Sequence, residues 1–238
     1  MRISLFIPCF VDQMSPRTGV AVVEVLERLG HEVLYPEGQT CCGQPAFNSG
    51  FCDQARCVAE HFLDTFADAE HVVVPSGSCA AMVKVFYPEL FQGTKRAAEA
   101  KALGERTWEF SQFLVEKLGV GDVGASFAGK VTFHDGCHGL RELGVHAAPR
   151  TLLRHVRGLE LVEMGEARTC CGFGGTFAVK FPEISTAMAQ VKCNSIIDCG
   201  AHTVVSNDPS CLMQIRGYFD KHGNTLPCLH LAEVLART

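Results

Sequence analysis

Two stretches, "QTCCGQPAF" at residues 39–47 and "RTCCGFGGTF" at residues 168–177, place a pair of adjacent cysteines before a glycine. Adjacent thiols make poor core residues. Successive side chains diverge on a helix and alternate across a strand, so only one of a pair can face a given core. Both pairs read instead as ligand loops, and the cysteines around them repeat. Thirty-one residues separate Cys9 from Cys41, and 36 separate Cys42 from Cys79; in the second half 32 separate Cys137 from Cys170, and 39 separate Cys171 from Cys211. Matching intervals around matching loops mark an internal duplication.

Outward from the loops, the two halves carry the same order of elements. In the first, "RISLFIPC" is an apolar strand ending at a cysteine, and "SPRTGVAVVEVLERLG" is a helix with Pro16 at its start and Gly30 at its end. "HEVLYP" is a second strand and the CCG loop follows it. A helix over "CDQARCVAEHFLDTFAD", the strand "HVVVP" and the helical "AAMVKVFYPEL" come next, and "EFSQFLVEKLG" closes the half. The second half runs "KVTFHDGC", "APRTLLRHVRG", "LELVEM", the CCG loop, "PEISTAMAQVKCNSIIDCG", "HTVVS", "LMQIRGYFDKHG" and "LHLAEVLART". Such alternation predicts parallel sheets with right-handed crossovers. The expected fold is α/β: two repeated small lobes, residues 1–122 and 123–238, each a short parallel sheet flanked by helices, related by a pseudo-two-fold axis. The linker is "GVGDVGASFAG". The framing cysteines fall just after strands, at the edge where open α/β sheets build their sites.

Composition narrows the chemistry. The 238 residues are 47% hydrophobic and 20% charged, an ordinary globular balance, and the formal charge of −5 gives no reason to expect nucleic acid or an anionic membrane. No apolar run approaches the roughly 20 residues of a transmembrane helix, and "MRISLFIPCF" is too short an apolar stretch for an export signal. Thirteen cysteines in a chain of this size, odd in number and without an export signal, point to metal or redox work in a reducing compartment, the cytoplasm.

Four thiolates in a compact cage suit zinc or an iron–sulfur cluster. Structural zinc usually takes paired C-x-x-C knuckles. Here the ligands are far apart, and the one close pair is directly adjacent, which chelates a single ion awkwardly but can serve two irons of a cluster. Gly43, Gly172, Gly174 and Gly175 let backbone amides approach and donate to sulfur. An iron–sulfur cluster is therefore the favoured reading. A zinc-bound scaffold that binds partners, and a thiol–disulfide reductase using the paired cysteines directly, are the rivals.

The twice-repeated pattern resembles the CCG, or cysteine-rich, domain found in heterodisulfide reductase and in the iron–sulfur subunits of glycolate and glycerol-3-phosphate dehydrogenases. There is no N-terminal C-x2-C-x2-C-x3-C-P ferredoxin segment of the glycolate kind. "FIPCFVDQ", "CCGQPAFNSG", "PSGSCAAMV", "HDGCHGLRELG", "CCGFGGTFAVKFPEIS" and "CLMQI" are similar to the lactate-utilisation protein A type of that family. The resemblance implies an electron-transfer component, without catalytic residues of its own, in a complex that oxidises L-lactate to pyruvate with other subunits as partners. It implies one [4Fe–4S] cluster on Cys9, Cys41, Cys42 and Cys79 and another on Cys137, Cys170, Cys171 and Cys211, with both lobes or only one loaded. The fullest family motif ends C-x-x-C. Here Ser76 and Asp208 stand where its first cysteine would be, which favours four-cysteine clusters and leaves Asp208 as a candidate oxygen ligand.

Cys52, Cys57, Cys193, Cys199 and Cys228 lie outside the repeat and read as small hydrophobes. "GVGDVG", residues 119–124, matches a dinucleotide fingerprint but follows a helix and precedes a strand, the reverse of the required context. His134, Asp135 and His138 flank Cys137, where they can either serve the metal site or satisfy loop backbone. His31, His71, His146, His155 and His202 are expected at the solvated surface, as is the charged helix "KRAAEAKALGER". Neither a nucleophile elbow, a P-loop nor a zinc-protease motif occurs.

Overall fold

The computed structural model describes residues 1–238. The first sheet contains β1 (Arg2–Leu5), β2 (Glu32–Leu34), β3 (Val72–Val74) and β4 (Thr107–Glu109), in the order β2-β1-β3-β4. The second contains β5 (Ser126–His134), β6 (Arg157–Leu161), β7 (Thr203–Ser206) and β8 (Cys228–His230), in the order β6-β5-β7-β8. Every strand pair is parallel. The chain is thus a duplicated α/β structure. Short apolar runs make its central strands because a parallel strand covered on both faces must be apolar throughout: Val72, Val73 and Val74 are all fully buried.

The fourth strand of each sheet is a departure from the sequence reading. "TWE" and "CLH" are three residues each, too short for a period-two signal, and each runs straight into a helix. They become strands because β3 and β7 leave an edge for them to pair with.

Helix Pro16–Arg28 has proline in its first turn and buries Thr18, Ala21, Val22, Val25 and Leu26 on one stripe. It packs on helix Leu231–Leu235 of the second half, while its repeat counterpart, helix Ala147–Arg154, packs on the segment Phe110–Lys117 of the first. Exchanging the halves converts one contact into the other, the signature of an approximate two-fold. The seam between them is the largest core. Ile3, Leu5, Val22, Phe110 and Phe113 meet Val131, Phe133, Leu152, Val205 and Leu231 within a cluster of 22 buried residues. Arg28 crosses the seam and donates to the carbonyls of Val123 at 3.3 Å and Leu235 at 3.0 Å.

The stretch 119–124 follows the π-helix Phe113–Lys117 and precedes β5, the arrangement of a connector. The charged segment is not wholly solvated: helix Ala97–Glu105 buries Ala100, Leu103 and Gly104, and Arg96 bridges Asp64 at 2.6 Å and Glu99 at 2.8 Å.

Candidate metal centres

In both sheets the chain order reverses between the first and third strands, so a crevice opens at the carboxyl ends of β1 and β3, and of β5 and β7. Cys9 opens helix Cys9–Met14 after β1, and Cys79 lies in helix Gly77–Ala81 after β3; the Cys41–Cys42 loop follows β2. The second half repeats the plan. Cys137 opens helix Cys137–Leu143 after β5, Cys211 lies in helix Pro209–Lys221 after β7, and Cys170–Cys171 follow β6. All eight thiols line a single cavity of ≈ 110 Å³. Phe10 and Phe173, one from each half, meet edge to face across it at 5.5 Å.

Within each half the sulfurs form a chain of neighbours. Cys9 Sγ is 3.8 Å from Cys41 Sγ, and Cys42 contacts both Cys41 and Cys79. Cys170 contacts Cys137 and Cys171, and Cys171 contacts Cys211. This proximity splits their acidities. Hydrogen bonds from the Cys42 and Cys9 thiols hold Cys41 well below the ordinary thiol range, and Cys137 and Cys171 do the same for Cys170. Cys9, Cys42, Cys137 and Cys171 are pushed up because each gives its proton to a neighbouring sulfur and is itself desolvated. One thiolate forms easily in each set, at Cys41 or Cys170, while Cys9 and Cys42, or Cys137 and Cys171, resist, as like charges in a poorly hydrated pocket must. A polycationic centre would remove that resistance and release protons.

The loop backbone suits a sulfur-rich, negatively charged group. The Gly43 amide donates to Cys41 Sγ and the Gly172 amide to Cys170 Sγ, both at 3.4 Å. Each glycine has positive φ, +83° at Gly43 and +90° at Gly172. That conformation, open to glycine, lets each loop press onto a following helix, Cys52–Thr65 in the first half and Pro182–Asp198 in the second. On donor set and amide placement, an iron–sulfur group fits.

Asp208 lines the same cavity, and its carboxylate is engaged in hydrogen bonds. It is buried and accepts from Ser78 N at 2.9 Å, Ser78 Oγ at 2.9 Å, Ser76 Oγ at 3.2 Å and Ser210 Oγ at 3.3 Å. The two positions where the fullest motif has cysteine thus bond to one another across the seam.

The three residues flanking Cys137 divide. Asp135 holds Arg150 through two bonds of 2.8 and 3.0 Å and His146 Nδ1 at 3.1 Å, while Arg150 also grips Glu163, so Asp135 anchors the loop after β5. His138 lines the cavity. His134 is fully buried, and its ring nitrogen lies within a group in which its ligand atom and the sulfurs of Cys171 and Cys211 are all within 4.8 Å of one another.

Several sequence expectations need correction. Cys52 and Cys57 are exposed on helix Cys52–Thr65 and do not line the cavity; nothing buries them, because they fall on its outer face. Cys193 and Cys228 do pack in the second-half core, where burial raises their thiols to about 12 and about 11. His31, His71 and His146 are half-buried: His71 packs on Phe113 at 5.7 Å, and His146 is drawn in by Asp135. Sequence reasoning also passes over Lys192, fully buried on helix Pro182–Asp198, with Nζ bonded to the Glu166 carbonyl. A lysine beside Cys193 in the helical run "AQVKCNSII" is its only signal.

Two such lobes, with paired cysteines and a glycine at each strand edge, define a protein of tandem cysteine-rich domains. The Cysteine-rich domain family, CCG, matches residues 3–84 and 131–216. Within that class the chain is 49% identical to "Lactate utilization protein A" of Geobacillus kaustophilus (strain HTA426) over 236 residues, 99% of this chain and 98% of that one. It is 47% identical to "Lactate utilization protein A" of Geobacillus sp. (strain WCH70), again over 236 residues and 99% of each chain. The chain belongs to the lactate utilization protein A family. Among solved structures, glutamate racemase from Francisella tularensis subsp. tularensis SCHU S4 aligns with TM-score 0.39 and 12% identity over 99% of this chain and 77% of that one, a likeness too weak to bear on function. No helix is long and apolar enough to cross a membrane.

Proposed function

We propose that this chain is the iron–sulfur electron-transfer subunit of a cytoplasmic complex that oxidises L-lactate to pyruvate, with its partner subunits supplying the substrate chemistry. The observation that carries the reading is the gathering of eight thiols, four from each half, around one cavity at the carboxyl edges of two equivalent sheets. The name of those relatives supplies the lactate context.

Cys9, Cys41, Cys42 and Cys79 would hold one [4Fe–4S] group and Cys137, Cys170, Cys171 and Cys211 the other. When bound, such a group takes up and passes on single electrons. The chain's own residues do the remaining work. The Gly43 and Gly172 amides donate to ligand sulfur and offset negative charge. Phe10 and Phe173 cover the cavity with apolar surface and limit water. The Ser76–Ser78–Asp208 bonds hold the two sets in fixed relation. A cytoplasmic setting belongs to the same reading, because ligand thiols must stay reduced.

The test is metal and acid-labile sulfide analysis of anaerobically purified protein, with each of the eight cysteines changed singly to serine. Iron with sulfide, and lower iron in each variant, is the expected result. Zinc without sulfide would replace this reading with a scaffold. Metal-free protein with full disulfide-reductase turnover would replace it with thiol chemistry.

A further inference from the structure

The two cysteine sets look alike along the chain, but their surroundings differ. Behind the first set the backing is apolar except for the buried Tyr87, whose hydroxyl is engaged with the Cys42 carbonyl at 2.9 Å. Phe6, three residues before Cys9, is fully buried against Phe62 and Phe66 at 4.7 and 5.8 Å, and the helix behind the loop, Cys52–Thr65, buries only Ala55, Ala59, Phe62 and Leu63. In the second set the residue three before Cys137 is His134, and the equivalent helix, Pro182–Asp198, buries Lys192 among Ser185, Ala189, Cys193 and Ile196.

His134 is a buried polar side chain that makes no full hydrogen bond, the nearby Ala167 carbonyl being taken by the Asp135 amide at 3.1 Å. It is 0% exposed, and neither Nδ1 nor Nε2 has a hydrogen-bond partner. Leaving a buried polar group unpaired is costly, so an orphaned ring that points at two sulfurs is placed there for something. Its position beside Cys171 and Cys211, all within 4.8 Å, identifies that partner as the second metal centre. Imidazole carries at least one ring N–H whether neutral or protonated, so a donor is present in either state.

Resting on the reading of these thiols as cluster ligands, we propose that His134 donates its ring N–H to sulfur of the second-half centre and, with the Lys192 ammonium behind it, raises the reduction potential of that centre alone. Hydrogen bonds to cluster sulfur and nearby positive charge both favour the more reduced, more negative state. Asp208 opposes this from the other side. Its charge is spread over bonds from Ser76, Ser78 and Ser210, so it acts as a background common to every variant below. The first centre, with phenylalanine where the second has histidine, has no equivalent donor. The halves of a duplicated fold have in this way been made into two unequal electron sites.

The experiment is an anaerobic redox titration of the full-length, iron- and sulfide-loaded protein, followed by electron paramagnetic resonance, for wild type, His134→Phe, His134→Asn and Lys192→Met. His134→Phe copies the first half's residue. It is expected to lower one of the two midpoints by about tenfold in the reduction equilibrium, ~59 mV for one electron, and to leave the other in place. His134→Asn, which retains an N–H, should restore part of the shift, and Lys192→Met should lower the same midpoint. The lobe is assigned by repeating His134→Phe in a Cys9→Ala, Cys41→Ala background; if that background does not fold, the single moving midpoint in the wild-type background decides. Unmoved midpoints, or equal shifts in both, overturn the inference and leave the iron–sulfur reading intact. Loss of iron in His134→Phe also overturns it, by making His134 a ligand. Wild-type protein that takes up no iron defeats the underlying reading instead.

Discussion

Glu109 and His230 occupy the same place in the two halves, the last residue of the fourth strand and the cap of the following helix. Their chemistry differs. Glu109 accepts from Ser111 N at 2.9 Å and Gln112 N at 3.1 Å, while its second oxygen is buried without a partner. His230 accepts from Ala232 N at 3.1 Å and is kept neutral by burial, at about 4. Burial likewise pushes the Glu109 carboxyl up, from 4.5 to about 7, with Asp208 adding to the rise. Between those two values the native chain keeps a proton that the unfolded chain has released. Stability from this group is therefore present below about pH 4.5 and is lost as pH rises to about 7, roughly 3 kcal/mol in all. Glu109→Gln keeps an accepting oxygen and cannot titrate. In urea unfolding it should gain on wild type steadily from pH 4.5 to 7; parallel curves would refute the assignment. The same scale shows where the sequence stops informing. The eight thiols that line the cavity stand out from spacing, because residue type and interval are local facts. The roles of Asp208 and His134 do not, since Asp208 is satisfied by Ser76 and Ser78 from the other half, and the His134 ring is buried without a full hydrogen bond.

Among the elements, each CCG loop is shaped by the helix that follows it. A Cβ on Gly43 would sit 3.2 Å from the Ala55 carbonyl oxygen, and one on Gly172 would sit 2.5 Å from that of Ser185 and 3.0 Å from Met188 Cβ. Ser185 Oγ also donates to the Gly172 carbonyl at 2.8 Å, which ties the second loop to its helix more closely than the first. Gly172→Ala should cost at least about 1–2 kcal/mol from the left-handed backbone alone, and more from the contact with Ser185. Gly43→Ala has the same backbone penalty with a milder contact. Thermal unfolding of the two variants should rank Gly172→Ala as the more damaging; equal losses would mean that the second loop can move off its helix. The loop and its glycine were visible in the chain because CCG is a motif. β4 and β8 were not, because three residues give no periodicity and their identity as strands comes only from the neighbours they pair with.

At the scale of the whole molecule the duplication is a single folded body rather than two beads. The largest core draws on both halves, and each half's first long helix packs on the other half's last one. Cutting between residues 122 and 123 would expose Ile3, Leu5, Val22 and Phe113 on one fragment and Val131, Phe133, Leu152 and Leu231 on the other, none of them more than 2% exposed in the intact chain. Uncovering a fully buried side chain of this kind costs about 1.5–3 kcal/mol. A whole domain is stable by only about 5–15 kcal/mol, so losing several such residues removes the margin. Residues 1–122 and 123–238 expressed separately should therefore each lack a sharp unfolding transition, and the full chain should unfold in one step. Trp108, the one tryptophan, lies in β4 and reports the first half, whereas far-ultraviolet circular dichroism reports both. Coincident urea curves from the two signals are expected. A Trp108 curve displaced from the dichroism curve would mean that the halves are independently stable, and that the shared seam, including the Ser76–Asp208 bond beside the thiol cavity, contributes little to holding the two thiol sets together.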